Sequence, residues 1–547
     1  MTYLKTVFNK KVTPQSRPIP DSAQVANSAG GFTFAVDDWM RLARFLVLGA
    51  EGGSFYAGET TLTLENAEAV KRCIGADGPR VVREIVAVSE AGRAPKNDPA
   101  LFALAMCAAY GDEDTRRKAL AALPTVARIG THLFHFAQYV DGMRGWGRGL
   151  RQAVGNWYAQ MPADKLAYQA VKYGQRDGWS HRDLLRLSHP KPATEQHFAL
   201  YHWLTQGWES VGEMPHPDPA LRLVWAAERV KTAEKAAQVA ALIREYRLPR
   251  EAVPTQWLTD PFVWEALLED MPMTALIRNL ATLTRVGLLT AMGPETQKVA
   301  AQITDGARLR KARVHPIQVL SALKTYAQGH GERGGNSWTP VPAIVDALDA
   351  AFYASFGNVT PTGKRWLLAL DVSGSMDLGQ IAGVPGLTPR VASAAMCLIT
   401  AATEARHQVV AFTSSGKGYG GQWGGGETAL TPLSISPRQR LDDVIKTASA
   451  LRLGGTDCAL PMVWALKNKV ETDVFVVYTD SETWAGNIQP VQALRQYRER
   501  MGIPAKLIVC GIVSNKFTIA DPDDAGMMDV VGFSTATPNV MSDFAAA

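Results

Sequence analysis

The stretch that most restricts how this chain can fold is Arg365-Trp-Leu-Leu-Ala-Leu-Asp371-Val-Ser373-Gly-Ser375-Met376. An apolar run of strand length stops at an aspartate and two alternating serines. With no polar residue between Trp366 and Asp371, the run reads as a strand buried on both faces, as in parallel α/β sheets. Three oxygen-bearing side chains then leave its carboxyl end in one loop, where open α/β sheets place their binding sites. One carboxylate and two hydroxyls, with no His or Cys, suit a hard divalent cation such as Mg²⁺. A Ser/Gly turn without a ligand would look the same in so short a motif, so the rest of the chain has to decide.

Two later segments do so. In Gly454-Gly455-Thr456-Asp457-Cys458 a glycine turn presents a threonine ahead of a helix-like segment, Ala459–Lys469. Asp473–Asp480 is a second apolar strand that ends on an aspartate. Asp371, Ser373, Ser375, Thr456 and Asp480 thus bring oxygens from three loops to one sheet edge. Their order resembles the metal-ion-dependent adhesion site of von Willebrand factor A domains. That resemblance implies Mg²⁺ or another divalent cation, with one coordination position left for a carboxylate-bearing protein ligand.

At 547 residues the chain is too long for a single core. Its net charge of +5 lies entirely in the first 360 residues, so basic character is an N-terminal property. The five cysteines, Cys73, Cys107, Cys397, Cys458 and Cys510, are scattered and include no Cys-x-x-Cys pair. That usage fits a reducing compartment and argues against a disulfide scaffold or a thiolate zinc site. The start carries no apolar signal region, and the run Val391–Thr403 is too short to span a bilayer. A soluble, cytoplasmic protein with no membrane segment is expected.

Residues 1–30, with Pro14, Pro18 and Pro20, read as an extended arm. Residues 31–360 read as helix after helix. Asp98-Pro99 ahead of an apolar run is a helix start, and Ala119–Ile129, Lys165–Gln175 and Leu221–Leu248 carry apolar residues at helical spacing. Short helices with brief Pro/Gly breaks suggest stacked pairs of the HEAT type. In residues 361–547 strands alternate with helices, which predicts a parallel, Rossmann-like α/β domain. Its glycine-rich Ser414–Glu427 faintly echoes a phosphate loop but reads as a surface loop, because no helix opens after it.

The densest basic stretch is Lys165–Lys191. Lys172 and Arg176, four residues apart, are expected on one helix face. Ser180 reads as the cap of a second helix, with Asp183 completing a capping box. Arg182 and Arg186 line that helix, and His189 and Lys191 sit at its end. Tyr168, Tyr173 and Trp179 lie among these bases. Cations grip phosphates and aromatic faces stack unpaired bases, so the mixture suits RNA; a solvated amphipathic face is the plain alternative. His132 and His135 read as packed histidines, since no acid stands near them in sequence.

Thr131-His-Leu-Phe, Trp146-Gly-Arg148, Lys172-Tyr, Gly178-Trp-Ser-His and Asp183-Leu-Leu-Arg-Leu-Ser-His-Pro-Lys-Pro resemble the TROVE module of Ro ribonucleoproteins. So do Met271-Pro-Met-Thr-Ala-Leu-Ile-Arg278-Asn279-Leu, Arg313-Val-His-Pro and Gly329-His-Gly. The match runs in order along nearly the whole chain, which is identified as a bacterial member. The resemblance implies an all-α HEAT-like helical-repeat ring followed by the von Willebrand A domain. It implies that stem-loop Y RNA binds the outer basic surface, with Lys172, Arg176 and His189 at the contact positions. Single-stranded 3′ ends of misfolded noncoding RNA would enter the ring's hole, with Arg278, Arg313 and Lys324 as its candidate lining. It further implies an exonuclease partner, polynucleotide phosphorylase or another, tethered through Y RNA to a monomeric scaffold. A metal-dependent adhesion or chaperone-like module is the alternative function. No nucleophile–base pair stands out, so an enzyme is not expected.

Overall fold

The computed structural model describes residues 12–48, 67–94, 96–211, 218–312, 314–331, 335–355, 361–377, 387–413, 430–436, 439–451, 454–511, 517–531 and 537–547. Two compact units emerge. One joins the N-terminal segment to the C-terminal third, 1–69 with 356–547, and the other is 70–355.

The 70–355 unit is helical. In chain order, after α1 (Asp38–Leu48) of the other unit and α2 (Glu68–Ala91), come α3 (Asp98–Tyr110), α4 (Glu113–Val126), α5 (Gly130–Met143), α6 (Arg148–Gln160) and α7 (Ala163–Lys172). Then follow α8 (His181–Ser188), α9 (Glu195–Gln206), α10 (Pro219–Arg229), α11 (Ala236–Tyr246), α12 (Pro261–Glu269) and α13 (Met273–Arg285). The unit ends with α14 (Pro294–Thr304), α15 (Gly306–Lys311), α16 (Pro316–Ala327) and α17 (Pro342–Ala354). Sequence neighbours pack in pairs: α3 against α4, α11 against α12, α16 against α17. Local signals set the ends. Asp112, Asp218 and Asp260 cap α4, α10 and α12, and proline opens α10, α12, α14 and α17. The helix expected over Leu221–Leu248 is divided after Arg229, where a 3₁₀ turn at Val230–Thr232 lets the chain reverse into α11. The helical run also meets itself: His315 Nε2 lies 3.2 Å from the carbonyl of Arg93, 222 residues earlier.

The C-terminal unit is built on a six-stranded sheet of β5 (Trp366–Asp371), β6 (His407–Phe412), β7 (Leu430–Leu433), β8 (Val474–Thr479), β9 (Lys506–Gly511) and β11 (Met527–Val531), in order β11-β9-β8-β5-β6-β7. All neighbours are parallel except the edge strand β7. Every residue of β5 and β8 is buried, as two continuous apolar runs require. Helices α18 (Pro389–Thr403), α19 (Leu441–Ser449), α20 (Leu460–Lys467), α21 (Pro490–Met501) and α22 (Thr537–Ala546) complete the unit. From β5 the chain builds outward first to β6, then crosses to β8, so the switch point of the topology lies between β5 and β8.

Residues 12–30, the described part of the expected arm, pack within the sheet-bearing unit, and residues 31–48 cluster with that unit and not with the helical one. Strands β1 (Gln24–Ala26) and β2 (Phe32–Ala35) form a hairpin, and β2 pairs with β10 (Phe517–Thr518). Phe34 is buried in the same hydrophobic cluster as Phe475, Val509 and Ile519, worth about 1.5–3 kcal/mol of burial. Arg44 of α1 reaches Asp529 of β11 at 2.8 Å with both side chains buried. Proline-rich composition carried no information about what that backbone packs on.

Candidate metal centre and nucleic-acid interface

At the carboxyl edge of the sheet, β5 and β8 run side by side, with Leu370 opposite Tyr478, so their terminal acids emerge together. Asp371 accepts from the Ser373 amide at 2.9 Å and from Thr479 Oγ1 at 2.6 Å. Ser373 Oγ and Ser375 Oγ are 3.1 Å apart. Asp480 accepts from the Glu482 amide at 2.9 Å, and a hydrogen bond from Ser375 links it to the first loop. Thr456 is buried, and its carbonyl accepts from the amides of Trp484 and Ala485, which ties the second loop to the third. Arg390 of α18, fully buried, grips Asp377 at 2.5 Å and donates to the carbonyls of Val372 and Ser373.

The electrostatics of this edge fit a cation. Burial, then the charge of Asp371, pushes Asp480 up to about 7, and burial raises Asp371 as well. Two buried carboxylates that repel each other are stabilised by a dication between them. The remaining donors are neutral hydroxyls, a hard oxygen set. Among the described residues no three His, Cys, Asp or Glu side chains gather as metal ligands; this edge offers two carboxylates with hydroxyls instead.

Sequence reading missed what holds these loops from behind. Gln15 is fully buried; its Nε2 donates to Asp457 Oδ1 at 2.7 Å and to the Ile488 carbonyl at 2.9 Å. Its Oε1 accepts from the Thr483 hydroxyl and from the Gly486 amide. Asn27 Nδ2 donates to the Thr483 carbonyl at 2.7 Å, and the Ala29 amide to Glu482. Gly31 passes so close that a Cβ there would lie 1.9 Å from the Thr483 oxygen. A glutamine fourteen residues from the chain start thus braces two of the three loops, a relation with no local sequence signal. Gln15→Ala is expected to cost about 1–3 kcal/mol, because Asp457 and the Ile488 carbonyl lose a buried partner. Denaturant titration reads the loss, and hydrogen exchange should accelerate at residues 454–458 and 480–486. Unchanged exchange there would mean that Gln15 does not hold the loops.

The basic stretch is arranged differently from its expected helix face. α7 ends at Lys172, and Arg176 lies on a two-residue strand, β3 (Gln175–Arg176), paired with β4 (Trp179–Ser180). The loop between them is Asp177-Gly178, both at positive φ (53° and 80°), a tight hairpin that glycine accommodates without strain. Lys172 and Arg176 therefore do not share a helix face. Lys172 is half-buried, its Nζ 5.4 Å from the ring centres of Tyr168 and Tyr173. Arg176 is 62% exposed, with its Nε 3.6 Å from Asp177.

The hairpin is held on both sides. His135, which looked isolated from acids in sequence, hydrogen-bonds Asp177 and lies 3.8 Å from Asp98. Trp179 Nε1 donates to Gln138 at 2.8 Å, and its ring meets Trp146 with centres 5.5 Å apart. His132 is a packed histidine: burial, then the Arg128 charge, lowers it to about 3.

The expected capping box of α8 is present, with Ser180 and Asp183 bonded reciprocally. Arg182 and Arg186 are exposed on α8, and Arg186 donates to the Thr205 carbonyl at 3.3 Å. His189 closes the helix in the left-handed conformation (φ 45°) and is exposed, as is Lys191. Arg278 on α13 is exposed and Lys324 on α16 is half-buried. Arg313 and the Ser414–Glu427 loop lie outside the described residues.

Residues 25–325 match the family model of the TROVE domain, and residues 365–545 that of the Ro60 vWA domain. This chain belongs to the Ro60 family. It is 44% identical over its whole length to 99% of the RNA-binding protein RO60 of Deinococcus radiodurans. It is 36% identical to that of Caenorhabditis elegans, over 98% of this chain and 92% of the relative. The crystal structure of the Deinococcus radiodurans RO (RSR) protein covers 93% of this chain and 99% of its own, with a TM-score of 0.71. The Ro resemblance read from the sequence is thus shown, as is the expected class: a mostly helical region with a von Willebrand A domain on a parallel sheet.

Proposed function

We propose that this Ro60 family member is a non-catalytic RNA-binding scaffold that acts in RNA quality control in the cytoplasm. The observation that carries the reading is the run of exposed basic residues along the β3–β4 hairpin and α8. Arg176, Arg182, Arg186, His189 and Lys191 are exposed there, and half-buried Lys172 lies against the rings of Tyr168 and Tyr173. Relatives named as RNA-binding proteins over their full length support it. No helix among the described residues is long and apolar enough to cross a membrane. In this reading stem-loop Y RNA binds along that run, and single-stranded 3′ ends of misfolded noncoding RNA pass through a hole in the helical unit. An exonuclease such as polynucleotide phosphorylase is the partner that degrades what is captured.

Phosphate contacts appear as salt dependence. Replacing Lys172 and Arg176 together by Ala is expected to flatten the slope of log K against log salt by up to about 1.8, at about 0.9 per contact. Affinity for a stem-loop should fall at least about tenfold, roughly 1.4 kcal/mol. Filter binding across a salt series decides, and an unchanged slope and affinity would make both residues ordinary solvated cations. Arg278→Ala with Lys324→Ala should weaken only RNAs with single-stranded 3′ tails. Equal loss for blunt stem-loops would remove these two from the hole.

In the von Willebrand A domain, Asp371, Ser373, Ser375, Thr456 and Asp480 would hold Mg²⁺ or another divalent cation. The ion supplies a coordination position for a carboxylate from a protein partner. Paired buried carboxylates at this edge favour the reading, which adds a protein-binding function to the RNA scaffold.

A further inference from the structure

We infer that a cavity among α7, α10, α11, α12 and α13 is a binding pocket for a single unstacked nucleotide. The cavity measures about 680 Å³, within the range of small-molecule sites. Leu223, Ile243, Leu267 and Ala275 give it apolar walls, and Tyr168 presents a ring.

Its charges are unequal. Arg247 and Asp270 form an ion pair at 3.4 Å, and the Arg128 guanidinium donates to the carbonyl and hydroxyl of Ser89 while keeping its charge. Lys165, Lys172 and Arg250 then stand against Asp164 and Glu251. Two of these cations are held in place by aromatic rings. Lys172 Nζ sits 3.4 Å from the Tyr168 hydroxyl, and the Arg250 guanidinium packs over Trp264 at 5.8 Å. Asn279 donates its amide to the Ala275 carbonyl, which orients its oxygen as the acceptor it can offer.

Each part of a nucleotide has a counterpart here. Phosphate suits Lys165 and Lys172, and a flat base suits the Tyr168 ring and the apolar walls. Hydroxyls and exocyclic amines suit Glu251 and Asn279. A fatty chain would leave the cations unused, and a sugar phosphate would leave the apolar walls bare. Lys172 also belongs to the basic stretch, so a strand gripped there can leave one base in the cavity. The nucleotide's origin, RNA chain or free pool, is the one point that rests on the RNA reading.

The test titrates the full chain with UMP, AMP and orthophosphate by calorimetry. Saturable binding of a mononucleotide, at least about tenfold tighter than orthophosphate, is expected. Ala275→Trp fills the cavity and should weaken it about tenfold or more. Leu223→Trp does the same from another helix, and circular dichroism reports whether each variant folds. If RNA supplies the nucleotide, both variants should also weaken an oligonucleotide with an unpaired loop while a blunt duplex is unaffected. If the free pool supplies it, RNA affinity stays constant as mononucleotide binding disappears. Mononucleotides that bind no better than orthophosphate, or that bind undiminished to either folded Trp variant, overturn the pocket. Failure of the wild-type chain to bind any RNA would sink the scaffold reading alone and leave the mononucleotide result standing.

Discussion

Acidification from about pH 7 to about pH 4.5 is expected to destabilise the helical unit by about 2–3 kcal/mol for each of two buried histidines. His181 and His315 are both buried, and burial lowers each from 6.5 to about 4. His181 bonds Tyr158 at 2.8 Å and packs among Phe134, Trp157 and Tyr158, and Gly130 is close enough that a Cβ would lie 3.1 Å from its ring. The unfolded chain takes up a proton near pH 6.5, while the folded site resists it until about 4. Their contribution is therefore complete above the unfolded value and is lost as pH falls through that window. Thermal melts across the range, with tryptophan fluorescence as the probe, measure it. A flat profile between those limits would mean that these imidazoles accept protons in the folded state.

Asp371→Ala is expected to abolish stabilisation by Mg²⁺ entirely. A cation that binds only the folded state raises its stability by about 2.7 kcal/mol at a hundred times its Kd. Wild-type protein should show that shift on titration with Mg²⁺, and the variant none. Protons compete for the same acids, so the shift should shrink as pH falls below about 7, where Asp480 titrates in the metal-free protein. RNA affinity of the variant should stay within about threefold, roughly 0.65 kcal/mol, since the basic stretch belongs to the other compact unit. A full Mg²⁺ shift in Asp371→Ala would place the cation elsewhere, and a large RNA defect in the folded variant would couple the two units.

What could be read from the chain alone were features written in contiguous residues. An uninterrupted apolar run before Asp371 dictated a strand buried on both faces, and the same pattern before Asp480 placed a second acid at the same edge. The α8 capping box was legible because its bonds span only three residues, Ser180 to Asp183. Family motifs, spread in order over nearly the whole length, carried the Ro assignment further than spacing could.

Tertiary structure alone decided the relations between distant residues. Helical spacing put Lys172 and Arg176 on one face, yet the helix ends at Lys172 and Asp177-Gly178 turn the chain, because positive φ at two successive residues favours a hairpin. His135 found its acids 37 residues before it and 42 residues after it, at Asp98 and Asp177. Gln15 braces loops more than 440 residues away, and residues 12–48 join the sheet domain through Phe34, Arg44 and the β2–β10 pairing. A polar side chain in a proline-rich segment has the same local pattern whether it meets water or a buried carboxylate. Only the packing of the folded chain, which removes the water, distinguishes the two.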